Sequence, residues 1–222
     1  MATEVETKDC TALSDSELAE MADLSASGPR AYEAGMLSKL VEEWVLVTLA
    51  RENGRLKGYS FCTLERIGGT PSLLAGLASI KRTSKRDTVL RQMMTDQLRR
   101  SVLAFPDEDV LVGTRLATAS GFDAFRNLDD IVPRPDYVAT GEERAWGRRL
   151  AKRFGTATEA YDERSFKITG SEVPALVFDH DSAKPEAIDA DVVALFDDID
   201  EDAGDALVAF GWALADDLVK LL

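Results

Sequence analysis

The 222-residue chain is poor in the residues that mark several functional classes. It holds two cysteines, Cys10 and Cys62, which form no CxxC pair and are too few for a disulfide framework or a cysteine-based zinc site. Redox chemistry is not indicated, and a reducing compartment is expected. With a single histidine, His180, no multi-histidine metal centre can form. Asp179-His180-Asp181 reads as a surface turn rather than a ligand or triad member, and no metal is expected. Basic charge is also short: 26 Lys and Arg stand against 40 Asp and Glu, a net charge of −14. That balance argues against nonspecific attraction to nucleic acid or to an anionic membrane. The longest uncharged apolar run, Ala206 to Ala215, is far shorter than the ~20 residues that cross a bilayer. The amino-terminal residues have neither the basic start nor the apolar stretch of an export signal, so a cytoplasmic location is expected.

What is there suits one domain with a real core, since 45% of the residues are hydrophobic and a chain of this length hides roughly 70% of its unfolded surface. Asp is favoured over Glu and Arg over Lys, a texture similar to that of proteins adapted to concentrated salt. Nine carboxylates and no basic residue lie between Glu186 and Asp205, which reads as a solvated face. Within that run Asp198-x-Asp200-x-Asp202 has the spacing of a calcium loop, but Ala203 and Ala209 stand where the loop needs glycine and a bidentate Glu.

Local signals place the elements. Ser14 and Glu17 form a capping box that starts a helix over about 15–25, ended by Gly28-Pro29. A second helix is expected over about 30–43. Trp44 to Arg51 is β-branched and apolar, Asn53-Gly54 supplies a type I′ turn, and the return strand runs from Leu56 to Arg66. Gly68-Gly69 turns the chain into Ser72 to Ile80, whose Ala75, Gly76, Ala78 and Ser79 invite close approach. Helical periodicity from Asp87 to Leu103 ends at Pro106, Asp109 to Arg115 reads as a buried strand, and Ser120 to Leu128 as a short helix. Beyond a helix over 141–154 with a basic face, short strands are expected at 166–169 and 175–178, and a terminal helix from about Asp205 to Leu222, apolar on most sides.

One segment inverts the charge of the molecule. From Ile80 to Arg91 five cations, Lys81, Arg82, Lys85, Arg86 and Arg91, accompany one acid, Asp87, at the handover from a strand of small residues to a helix. Free amides at a helix start, with flanking Arg and Lys, bind phosphate. The competing reading is an exposed basic loop that balances nearby acids.

The order of elements over residues 1 to about 140 resembles the GNAT superfamily of acyl-CoA acyltransferases: a strand, two helices, a three-strand antiparallel meander, a basic turn into a long helix, then strand, helix and strand. The resemblance implies an α/β (α+β) fold with a mixed, largely antiparallel sheet flanked by helices; residues 141–222, outside it, read as a carboxy-terminal helical extension of the same domain. It implies acetyl-CoA or another acyl-CoA as co-substrate, a small-molecule or peptide amine as acceptor, and allows a homodimer. The third meander strand would lend its backbone to pantetheine, and the turn after it would wrap the pyrophosphate, which assigns Ser79, Ile80, Lys81, Arg82, Lys85, Arg86, Asp87 and Thr88 to the cofactor. Arg82-Thr83-Ser84-Lys85-Arg86-Asp87 keeps the Arg of the family's Arg/Gln-x-x-Gly-x-Gly/Ala turn and lacks both glycines. Phe122 and Phe125 stand near the place of the family's general-acid Tyr. The nearest candidate base is Glu65, on the strand beside Ser72 to Ile80, and a backbone amide of the latter strand would stabilise the oxyanion. A non-catalytic relative serving as a ligand-binding or interaction module is the alternative.

Overall fold

Ser14 caps the first helix as its spacing predicts, its hydroxyl accepting from the Glu17 amide while the Glu17 carboxylate accepts from the Ser14 amide. The computed structural model describes residues 3–170 and 175–222. The chain runs through β1 (Glu4–Asp9), α1 (Asp15–Ala26), α2 (Ala34–Glu43), β2 (Leu46–Glu52), β3 (Arg55–Ile67) and β4 (Thr70–Ile80). There follow α3 (Arg86–Ala104), β5 (Val110–Leu116), a 3-10 segment (Ala119–Phe125), β6 (Asp129–Val132) and α4 (Gly141–Arg153). Short strands β7 (Tyr161–Asp162), β8 (Lys167–Ile168) and β9 (Phe178–Asp179) lead to α5 (Ala190–Ala194), β10 (Ala206–Ala213) and α6 (Ala215–Leu218). The element order implied by the GNAT resemblance is therefore present from β1 to β6. No helix among the described residues is long and apolar enough to cross a membrane.

The main path through the sheet is β1-β2-β3-β4-β5-β10-β8-β7. Its pairings are antiparallel except for β4 with β5 and β4 with β9. Asn53 and Gly54 both take positive φ, 51° and 74°, as the type I′ turn of the β2–β3 hairpin demands. One face of the sheet is covered by α1, α2 and α4 through Met21, Leu37, Leu40 and Leu150. The other is covered by α3 and α6 through Val89, Met93, Leu98 and Leu218.

The expected terminal helix over 205–222 is corrected. Residues 206–213 form β10, which pairs with β5 on one side and with β6 and β8 on the other, and only the short α6 follows. A strand buried on both faces is apolar at every position, so it lacks the alternation that marks a half-exposed strand and imitates a buried helix. The acidic run that precedes it is mostly exposed, as expected, except at its end. Asp205 is buried, accepts from the Gly170 and Asp200 amides and pairs with Lys167 at 2.6 Å. The Asp200 carboxylate caps the amides of Asp202 and Ala203, which makes the calcium-like spacing a self-capped turn.

Candidate active site

The middle of β4 sets the geometry. β4 and β5 pair in parallel at Ser72–Leu111, Leu73–Val112 and Leu74–Gly113. The β3–β4 register then slips, with Ser60 opposite Ala78 but Cys62 opposite Ala75, so two β4 residues oppose Phe61 alone. Such a bulge bends its strand. Past it the neighbour of β4 is no longer β5 but β9, in parallel register at Ala78–Phe178 and Ser79–Asp179.

The strap containing β9 crosses this gap. The Ala78 amide donates to the Val177 carbonyl at 3.2 Å, and the Thr118 hydroxyl donates to the His180 carbonyl at 3.3 Å. Val177, Phe178, Asp179 and His180 are all buried. The small residues of β4 thus receive close neighbours as expected: the strap backbone at Ala78 and Ser79, and the Trp44 ring at Gly76.

The basic turn leans its two arginines on the same strap and leaves Lys81, Ser84 and Lys85 exposed, so its cations balance nearby acids as the competing reading expects. Arg82 is only a quarter exposed and donates to Asp179 at 3.2 Å, with its Nε 3.8 Å from Asp181. Arg86 donates to the carbonyl oxygens of Asp181 and Ser182 and lies 3.4 Å from the Asp181 carboxylate. Lys85 pairs with Glu52 at 3.0 Å, the Lys81 side chain is exposed, and the Thr88 hydroxyl accepts from Arg91. Ser79 and Ile80 are buried in β4. The Asp87 carboxylate accepts from the Ala183 amide at 3.0 Å. Asp179 has a second cation, buried Arg30 from the α1–α2 connection, at 3.0 Å. The residues assigned to the cofactor are therefore together, and the chain's own residues 177–183 partner Arg82, Arg86 and Asp87 among them.

Glu65 does not join them. It lies opposite Ser72 at the far end of the β3–β4 pair, seven residues from Ser79 along β4, which is about 23 Å at roughly 3.3 Å per residue. Its carboxylate is held by Arg153 of α4 at 2.7 Å. At the place of the family's general-acid Tyr, Phe122 packs edge-on against Phe125 and Phe196 and offers no proton.

Two clefts flank the strap. One, of about 340 Å³, is lined by Glu43, Arg115, Phe154, Ala175 and Val177 among others. The other, of about 620 Å³, includes Ser84, Asp87, Arg91, Asp123, Arg126 and Lys184 in its wall. Sequence reasoning missed Arg30, Asp123, Asp179 and His180. The surface-turn reading of His180 is overturned: the residue is 2% exposed because β9 carries it between β4 and the end of β5. A lone histidine between two acids in a chain with one histidine was the available signal. Facing His180 lowers the Asp123 carboxyl below its ordinary value, against the opposing effect of burial.

No family model matches the chain, and no curated protein is similar to it in sequence. Solved structures are similar in fold. Escherichia coli ElaA is 16% identical, with 63% of this chain and 95% of that chain covered at a TM-score of 0.41. An aminoglycoside 6'-N-acetyltransferase from Enterococcus faecium is 11% identical over 60% of this chain and 67% of its own, at 0.40. A GNAT family acetyltransferase from Brucella melitensis, solved in complex with acetyl-CoA, is 14% identical over 49% of this chain and 75% of its own, at 0.36.

Proposed function

We propose that the chain is an acyl-CoA-dependent acyltransferase of the GNAT kind whose cofactor groove is closed by its own residues 177–183. One observation carries this reading: past the bulge, β4 diverges from β5 and binds an extended backbone along Ala78 and Ser79, ending at the Arg82 and Arg86 guanidinium groups and the start of α3. A pantetheine arm is an extended chain with amides of its own, and a pyrophosphate is the natural partner of two arginines at a helix start. The strap presents the same chemistry, a backbone followed by the carboxylates of Asp179 and Asp181. When it leaves, the Ala78 amide is free to bind the cofactor or the developing oxyanion. Acyl transfer then consists of attack by an amine nitrogen on the thioester carbonyl, with departure of the thiolate and loss of a proton from nitrogen. The proton passes to solvent: Glu65, about 23 Å from Ser79 at roughly 3.3 Å per residue and bonded to Arg153, is beyond the reach of a general base.

Closure weakens binding by the fraction of time the groove is open; a closed form favoured by about 2.7 kcal/mol lowers apparent affinity about a hundredfold. The second reading, a non-catalytic module, is favoured by the burial of Phe178 and by the double pairing of Asp179 with Arg30 and Arg82. Asp181→Asn separates the two, because Asp181 is half exposed and competes for both arginines without lining the core. Calorimetry with CoA should show roughly two- to fivefold tighter binding in the variant, the worth of a partly exposed ion pair. Release of free CoA from acetyl-CoA over a panel of amines should rise with it. If millimolar CoA neither binds nor stabilises either protein, the module reading stands. Arg82→Ala is a poor probe, since it removes a phosphate partner and loosens the strap together; Arg148→Ala, whose side chain pairs with Glu163 on the surface, is the inert control.

A further inference from the structure

Asp87, Asp123 and His180 come from three separate elements, the first turn of α3, the 3-10 segment after β5, and the end of the strap. His180 Nε2 faces Asp87 Oδ1 at 3.3 Å and Asp123 Oδ2 at 3.8 Å, and one donor atom from each residue lies within 4.8 Å of the other two. The His180 side chain is fully buried, yet neither ring nitrogen has a hydrogen-bond partner among the described residues. A buried imidazole without a well-formed hydrogen bond is costly, and its Nε2 faces two carboxylates. The acids around it at the turn, Asp179, Asp181 and Glu52, each pair with Arg or Lys. Asp87 and Asp123 have no such ion pair among the described residues.

We propose that these three side chains bind one divalent first-row transition ion of the Zn²⁺ type. One nitrogen and two oxygens at about 2.0–2.2 Å from such an ion lie roughly 3–3.6 Å from one another, so small rotations of the carboxylates close the shell. Two carboxylates and a neutral imidazole balance the charge of the ion. Imidazole selects a borderline ion over Ca²⁺ or Mg²⁺, which prefer oxygen alone. Asp87 is steadied by the Ala183 amide, and the His180 backbone by the Thr118 hydroxyl. The remaining coordination positions face the 620 Å³ cleft, for water or an anionic oxygen ligand, with Arg91, Arg126 and Lys184 in its wall. The proposal rests on this cluster and not on the acyltransferase reading.

The test uses the full chain, stripped with EDTA and titrated with Zn²⁺, Co²⁺ and Ca²⁺ by calorimetry. Because His180 is the only histidine, its ring signals in NMR report the site alone. The expected result is one Zn²⁺ per chain, at least a hundredfold tighter than Ca²⁺, with a stoichiometric shift of the His180 resonances and d–d absorption for Co²⁺. Asp123→Asn should weaken Zn²⁺ at least tenfold, while Asp198→Asn in the acidic run should not change it. Should Asp123→Asn fail to fold, the His180 shift in the natural protein decides. Unchanged His180 signals at millimolar Zn²⁺, equal binding by Asp123→Asn, or Ca²⁺ binding as tight as Zn²⁺ would overturn the site and leave the three residues as an ion pair.

Discussion

At Glu17 a local capping signal becomes an electrostatic one. Partial burial pushes its carboxyl up, but hydrogen bonds from Lys8 and from the Ser14 amide and hydroxyl outweigh this and bring it down to about 2. A folded value below the unfolded one of about 4.3 means that the contribution is complete above about 4.3 and is lost as pH falls through about 2. Glu17→Gln should therefore cost about 1 kcal/mol at pH 7, the worth of a capping interaction, and almost nothing near pH 2. Urea melts at both values check it; a penalty independent of pH would show that the loss is one of packing. The cysteines behave differently. Burial, with a smaller effect of Asp9, pushes the Cys10 thiol up to about 12, and burial also raises Cys62 to about 12. Thiols held so high are poor nucleophiles, in keeping with the absence of any redox motif.

Strand β4 shows how one element serves packing and site at once. Its bulge ends the pairing with β5, and its small residues admit neighbours that larger ones would exclude. A methyl group at Gly76 would fall within 2.7 Å of three atoms of the Trp44 ring. Trp44 is buried and also packs on Phe154 of the α4 end, so the ring cannot simply swing away. Gly76→Ala should cost about 1–3 kcal/mol by overpacking, a fall in Tm of roughly 2–4 °C per kcal/mol. Trp44→Phe in the same chain should restore part of that loss, because the two positions are in contact. Thermal melts of the single and double variants test this; additive losses would place the strain elsewhere.

Over the whole molecule the net charge of −14 is carried by a surface whose exposed ion pairs, such as Arg66–Glu108 and Lys220–Asp217, are individually weak. Mutual repulsion of carboxylates then dominates the response to salt, and at 1 M the screening length is only ~3 Å. Melting temperature should rise between dilute buffer and molar KCl. An unchanged Tm would remove the similarity to salt-adapted proteins as an explanation of the composition. The buried pair of Asp179 with Arg30 is shielded from solvent and should persist at both extremes.

The elements legible in the sequence are those with local causes. Asn53-Gly54 dictates its turn because both residues accept positive φ, Ser14 and Glu17 cap each other over one helical turn, and the three- and four-residue spacing from Val89 to Val102 needs only its own helix. The basic turn and the strand of small residues before it could likewise be read along the chain. Tertiary structure decided what required partners remote in sequence. Residues 206–213 are a strand because β5, β6 and β8 bond its edges, which an unbroken apolar run does not reveal. Arg82 and Arg86 are spent on the strap because β9 pairs with β4. His180 left the surface for the same reason, and its meeting with Asp87 and Asp123 is a contact between three elements that no spacing along one of them encodes.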